Sequence, residues 1–441
     1  MRKFWRFLSF ILLVIILIGI VLGILIAFKN KNSETDESIK NIFSKVQSKQ
    51  AEVIEFFSYG TSLNIKCKIS GISKDNYESS RIIISDGFNF EKEYKLTTSF
   101  EENSLIITSN YINDGISLDD LDSGKYYIML RLKLNNSSSH KYYLLKNSSN
   151  YENLEYYTIT KNASNKKINL EQIDYEYNKT PYSYLKLNVK DTSLPENIYD
   201  IVIDAGHGGD DSGYTYSGIT EADITLDYAN SLKSVLEEKG LKVKLTRDNS
   251  NTANYKEKST YDSNGRITVA CESKAKYMLS LHVNDGGKNF SGVEIYAPCK
   301  TKTDFANKLV QNIVNKTTLE YSNVGKYKVS DGVYIKNFSN TEIKTYADAA
   351  SKNGYENYNI TTDTPLLYTI REVGGIATNA FVDGRNKNYA ANKYYKSNQG
   401  IECYQLELGY IKNDLSKIQN EKSEYIQAIS EAILSELSEK H

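Results

Sequence analysis

Hydrophobic and polar positions follow different rhythms along this chain, and the rhythm changes at a few sharp places. The first is Phe7 to Phe28 (FLSFILLVIILIGIVLGILIAF), 22 residues without a charge. A helix of that length crosses roughly 30 Å of hydrocarbon. A cleaved signal peptide has a shorter apolar core, about 7–15 residues, and ends in small residues. Here the run continues through Ala27-Phe28-Lys29 without such a site, so it reads as a permanent anchor. Arg2, Lys3 and Arg6 precede it, whereas Lys29 and Lys31 are soon diluted by Glu34, Asp36 and Glu37. That asymmetry predicts a single-pass protein with a cytoplasmic N-terminus and everything after residue 30 outside.

In residues 30–57 a polar start gives way to Ile39, Ile42, Phe43, Val46 and Val53 at roughly helical spacing, which predicts a helical stalk or a leader into the next domain. The period then becomes two. Leu63, Ile65, Cys67 and Ile69 alternate with polar residues, as do Ile128, Leu130, Leu132 and Leu134, and later Leu185, Leu187 and Val189. Turn signals separate these runs at Asp86-Gly87, Asn113-Asp114-Gly115 and Ser123-Gly124. Residues 58–192 therefore read as an all-β, sandwich-like domain. It holds one histidine, His140, and no clustered acids, so a spacer is favoured over a glycan-binding module.

After Pro195, strands and helices alternate, and residues 196–441 predict an α/β domain with a mixed sheet covered by helices. Ile201-Val202-Ile203 is a short buried strand. Thr220 caps a helix whose apolar face is Ile224, Tyr228, Leu232, Val235 and Leu236, and Gly240 closes it. Strands are predicted at Leu241–Thr246, Tyr277–Val283, Gly292–Tyr296, Leu366–Arg371 and Ile401–Leu408. Helices are predicted near Ile267–Lys274, Asp304–Thr318 and Glu421–Leu437. Residues 319–365 are rich in Tyr and Asn, lack clear periodicity and read as an insertion.

Charge and cysteine usage narrow the function. Fifty-four basic against 55 acidic residues leave a formal charge of −1, which argues against a nucleic-acid partner. Four cysteines without a C-x-x-C pair exclude a disulfide framework and a Cys-rich zinc ribbon. The 36 tyrosines against one tryptophan suit strands with wet outer faces.

In an open α/β sheet, functional groups collect at the carboxyl ends of the strands. His207, in Asp204-Ala205-Gly206-His207-Gly208-Gly209, follows the first strand, and His282, in Ser280-Leu281-His282-Val283-Asn284, ends another. Glu221, in the first turn of the first helix, can face the same edge. Two histidines and a carboxylate leave one position of tetrahedral zinc open, the pattern of a catalytic site. Glu407, in Leu406-Glu407-Leu408-Gly409-Tyr410, ends the strand before the last helix and is placed to act as general base. Each residue also has a plainer reading: a polar strand end for either histidine, a dipole partner for Glu221, a lysine partner for Glu407. Their co-occurrence in short glycine-flanked motifs favours the metal reading.

Val202–Gly209 (VIDAGHGG), Glu221, Leu245-Thr246-Arg247-Asp248, SLHVN, Gly292–Tyr296 (GVEIY) and Leu406–Asn413 (LELGYIKN) occur in order. The set resembles the zinc-dependent N-acetylmuramoyl-L-alanine amidases of the Amidase_3 type, over about residues 198–440. The resemblance implies a six-stranded α/β fold, one Zn2+ held by His207, Glu221 and His282, and Glu407 as the catalytic glutamate. It further implies hydrolysis of the amide between N-acetylmuramic acid and L-alanine, with peptidoglycan as the partner. Arg247, Arg371 and Asn284 are candidate substrate contacts. After Arg266 the chain reads Ile-Thr-Val-Ala-Cys-Glu where members usually carry Ala-Asn, in a packing helix. The 125 positions from His282 to Glu407 exceed a minimal member. Some members carry an insertion near this place that covers the zinc until an activator protein moves it; a gate, a substrate rim and surface decoration all fit residues 319–365. The competing class is a catalytically silent wall-binding protein, although no ligand or base is missing. Another zinc peptidase is disfavoured because no H-E-x-x-H occurs.

Overall fold

A computed structural model describes residues 37–59, 62–109, 116–118, 121–149, 154–158, 165–248, 264–287, 289–299, 302–354, 360–374 and 401–438. The apolar run Phe7–Phe28 lies outside them, and among the described residues no helix is long and apolar enough to cross a membrane.

Twelve strands between Ala51 and Asp191 form one sheet. The sheet folds over a single core. Val53, Phe56, Leu63 and Ile65 from one half pack with Ile82, Ile84, Ile128, Leu130, Leu185 and Leu187 from the other. The strand Lys141–Asn147 joins the halves, antiparallel to Gly124–Leu134 and parallel to Ala51–Tyr59. The expected stalk over residues 30–57 is corrected. Its C-terminal part is the strand Ala51–Tyr59, because Ala51, Val53 and the residues beside them alternate inward and out. The helix over 37–45 does not stand free: Ile39, Ile42 and Phe43 pack on the sheet's outer face. The Phe43 ring sits 4.7–5.9 Å from the rings of Tyr175, Tyr177, Tyr182 and Tyr184.

The second unit contains, in order, β1 (Ile201–Ala205), α1 (Glu221–Glu238), β2 (Val243–Leu245), α2 (Arg266–Glu272), β3 (Tyr277–Asn284), β4 (Glu294–Tyr296) and α3 (Asp304–Lys316). It continues with β5 (Lys328–Ser330), β6 (Val333–Tyr334), α4 (Asn340–Asn353), α5 (Tyr368–Val373), β7 (Glu402–Tyr410), α6 (Leu415–Asn420) and α7 (Lys422–Ser438). Among the described residues its sheet has seven strands in the order β2-β1-β3-β7-β4-β6-β5, one more than the six expected. The inner strands are parallel, and β4 runs antiparallel to β7. Ile203, Leu281, Leu406 and Ile295 bury one face against α1, α3 and α7. On the other face Val202, Met278 and Cys403 meet α2 and α5.

Two further expectations change here. Residues 319–365 are not a simple insertion: Leu319 and Val333 enter the main core, and β5 and β6 extend the sheet edge. Strands of three and two residues are too short for a period of two to show in sequence. Leu366–Arg371, read as a strand, becomes the helix α5. Thr369 to Val373 are all buried, polar and apolar positions alike, so burial there has no period that separates helix from strand.

Candidate metal centre and neighbouring base

The register of the sheet places the polar face. Cα partners across strands direct their side chains to the same side. His282 on β3 is opposite Glu407 on β7, which is opposite Glu294 on β4. One pleat back, Asp204, Ser280, Gln405 and Tyr296 form a second row. Chain order reverses between β1 and β3, because β1 continues through α1 to β2 on its other side, so a crevice opens at their carboxyl ends.

His207 and His282 stand at that crevice, and the N-terminus of α1 brings Glu221 to it. The three offer ligand atoms that all lie within 4.8 Å of one another. Glu221 Oε2 is 3.1 Å from His207 Nε2, and Glu221 Oε1 is 3.0 Å from His282 Nδ1. Neighbouring donors around tetrahedral zinc are separated by about 3.3 Å, so two imidazoles and a carboxylate at these spacings fit that ion. Glu221 is buried, and its oxygens also accept from the backbone N–H groups of Val283 (2.9 Å) and Tyr214 (3.0 Å). Burial alone would raise its pKa, but the two histidines outweigh it and hold Glu221 well below the usual carboxylate range. Burial likewise opposes charge on His207, yet Glu221 and Asp211 together raise its pKa.

Close packing sets the backbone around this group. A Cβ on Gly206 would lie 2.6 Å from the His282 ring, and one on Gly213 would lie 2.6 Å from Glu221 Oε2. His207 itself adopts φ +60°, a left-handed conformation that needs outside support. Asp211 Oδ2 lies 2.8 Å from His207 Nδ1, which turns Nε2 toward Glu221. Arg266 donates to the His207 carbonyl (2.8 Å) and to Asp204 Oδ1 (2.8 Å). Asp204 also accepts from Thr246 Oγ1 (2.5 Å) and Ser280 Oγ (2.6 Å). Both Arg266 and Asp204 are 0% exposed. The sequence reading did not single out Asp204, Asp211, Ser280 or Arg266 for a role. The available signal was polar residues at alternating positions inside otherwise apolar strands, Asp204 before the glycines and Ser280 two before His282.

Glu407 lies outside the three-residue group but on the next strand, in register with His282. It is buried and accepts from Gln405 Nε2 (2.8 Å). Burial, Glu221 and Glu294 push its pKa well above the ordinary carboxylate value, with Gln405 offsetting part. Glu294 is 0% exposed and accepts from Asn284 Nδ2 (2.5 Å), Tyr296 Oη (3.0 Å) and Tyr410 Oη (3.0 Å). Asn284 therefore stands beside the expected site with its amide nitrogen tied back.

The two arginines expected to meet substrate are placed otherwise. Arg247 is buried; Nε donates to the Ala205 carbonyl (2.9 Å), and one terminal nitrogen donates to the carbonyls of Gly206 (3.1 Å) and Ala222 (2.8 Å). It fastens α1 to the glycine loop. Arg371 is buried on α5, 3.1 Å from Glu372, and donates to the Leu366 carbonyl (2.6 Å). Both side chains are held by protein acceptors, which occupy several of the donors a substrate carboxylate would use. His140 is not a member of this group.

A family model described as N-acetylmuramoyl-L-alanine amidase matches residues 201–439. An endolysin of Bacillus phage SPP1 is 34% identical over 132 residues, 29% of this chain and 44% of the endolysin. The germination-specific N-acetylmuramoyl-L-alanine amidase of Bacillus subtilis (strain 168) is 32% identical over 101 residues, 22% of this chain and 43% of that protein. The chain thus spans about half the length of the curated relatives it matches. Among solved structures, the N-acetylmuramoyl-L-alanine amidase AmiC2 of Nostoc punctiforme aligns at 20% identity over 54% of this chain and 96% of its own, with a TM-score of 0.31.

Proposed function

Since the chain belongs to the N-acetylmuramoyl-L-alanine amidase family through residues 201–439, we propose that it is a zinc-dependent hydrolase of the amide between N-acetylmuramic acid and L-alanine in peptidoglycan. The observation that carries this reading is the convergence of His207, Glu221 and His282 with Glu407 one strand away in register. His207, Glu221 and His282 would hold the ion. Bound there, zinc supplies Lewis acidity toward water and the scissile carbonyl. Asp211 keeps the His207 ring in its ligating orientation, and the Asp204–Arg266 pair keeps the backbone of the loop in place.

Glu407 takes a proton from the attacking water as its oxygen bonds to the lactyl carbonyl carbon. When the C–N bond breaks, Glu407 returns that proton to the alanine nitrogen. Held by Gln405 and in register with His282, the Glu407 carboxyl is placed to carry the proton between the two steps. The proposal extends to location. The uncharged run Phe7–Phe28 behind Arg2, Lys3 and Arg6 supports a membrane anchor with the hydrolase outside, against the wall.

Digestion of purified peptidoglycan by the full chain, followed by mass spectrometry, tests the reaction. Stem peptides with free L-alanine N-termini are expected, with intact glycan. Products that keep the lactyl–alanine amide, cut elsewhere in peptide or sugar, would overturn the assignment.

A further inference from the structure

Large hydrophobic side chains that stay exposed near a polar centre call for an explanation. Among the described residues of the second unit, four are exposed: Tyr214 (48%), Tyr216 (41%), Phe290 (40%) and Val329 (51%). Three of them belong to the segments that border the His/Glu/His group. Tyr214 and Tyr216 lie on or beside the hairpin Thr215–Tyr216/Ile219–Thr220 that leads into Glu221. The Tyr214 N–H bonds Glu221 itself, so this segment is fixed to the centre.

Phe290 comes from the opposite side, in the connection between β3 and β4. Its ring stacks on that of Tyr410 at 6.1 Å and 24° between planes. Tyr410 in turn donates to Glu294, in the same row as Glu407. Asn413 Nδ2 donates to the carbonyls of Gly287 (3.0 Å) and Phe290 (2.6 Å), holding the loop on the turn after β7. The aromatic rims are thus anchored, one to a ligand and one to the base's row.

We propose that Tyr214, Tyr216 and Phe290 form a stacking platform for the sugar rings of the glycan strand. The inference rests on the amidase reading and deepens it. In that substrate the scissile carbonyl is joined to the sugar ring through the lactyl carbon and one ether oxygen. A pyranose must therefore lie within a few bond lengths of the reacting carbon, and its apolar C–H face suits an aromatic ring.

The test compares full-chain variants Tyr214→Ala, Tyr216→Ala and Phe290→Ala on two substrates. One is soluble glycan-linked peptidoglycan; the other is a sugar-free lactyl-peptide with the same amide. The ratio of kcat/KM, glycan-linked over sugar-free, should fall about tenfold for the Tyr214 and Phe290 variants, the size of a lost aromatic anchor. Tyr214→Phe should restore the ratio, and Val329→Ala should leave it at the wild-type value. An equal loss on both substrates, or none, overturns the platform. Co-sedimentation with purified wall is a second measurement that needs no turnover. Retention of the chain should weaken when Tyr214 and Phe290 are both replaced, and undiminished retention would overturn the platform too. Absence of alanine release by the wild-type chain would instead strike the amidase reading, so the two failures are separable.

Discussion

Replacing Arg266 by methionine removes the guanidinium that ties Asp204 of the first strand to the His207 carbonyl. Arg266 and Asp204 are both 0% exposed, and their ion pair spans 2.8 Å. Without the arginine, an anionic Asp204 would be left in the core with only the Thr246 and Ser280 hydroxyls. Removing one partner of a buried pair costs about 3–5 kcal/mol. The orphaned His207 carbonyl adds to that loss, partly overlapping with it, so about 4 kcal/mol is expected near neutral pH. Asp204 can limit the damage by taking up a proton, which fixes how the loss depends on pH. In the intact protein burial would raise its pKa, but Arg266, Ser280 and Thr246 outweigh burial and hold it low. A depressed folded-state pKa contributes stability above the unfolded value of about 3.9, lost as pH falls through the folded value. In the variant burial dominates, the folded-state pKa rises above the unfolded one, and the neutral form is favoured. The difference between the two proteins should therefore narrow as pH is lowered from about 8 toward about 5. Hydrogen exchange of peptides covering 201–205 and 277–284 in the full chain reads the opening free energy directly. Protection in those strands should fall about a thousandfold near pH 7, and Arg266→Met/Asp204→Asn should recover part of it. A loss below about 1 kcal/mol, or one that does not shrink on acidification, would refute the view that this pair holds the site together.

The metal assignment predicts about one zinc per chain by elemental analysis. His282→Ala should lose most of it, whereas Glu407→Gln should keep it and lower kcat by about 10²–10⁴; a wild-type rate for Glu407→Gln would remove it as the base. Asp211→Asn, which removes the charge beside His207 Nδ1 and leaves an oxygen able to accept from the Gly213 N–H, should weaken zinc affinity about 10–100-fold in chelator competition, and an unchanged Kd would reduce Asp211 to a loop anchor. Fractionation of cells should find the intact chain in the membrane, released when residues 7–28 are deleted; a shortened soluble mature protein would show that the run is a cleaved signal.

The elements legible in the sequence were those whose physics is local. Alternation in Leu63–Ile69 and Ile128–Leu134 marked strands because each is long enough to show a period of two. The apolar face of Ile224, Tyr228 and Leu232, with its Thr220 cap, marked α1 in the same way. The four residues of the candidate centre stood out because His207, Glu221, His282 and Glu407 each sit at an element's end, in short motifs whose glycines make room for them. Tertiary structure decided what depends on distant partners. Whether Arg247 and Arg371 face substrate or the interior turns on which carbonyls the fold brings to them, and Ala205 and Leu366 are reached only after β1 and α5 are packed. The run around Tyr368 became a helix, and β5 and β6 became sheet edge, because contacts with distant residues decided segments whose local patterns are mixed or too short. The Asp204–Arg266 pair joins residues 62 apart in sequence. Neither residue alone carries a sign that a loop ending in a histidine depends on it, since the low dielectric that makes the pair consequential exists only once the sheet has closed around it.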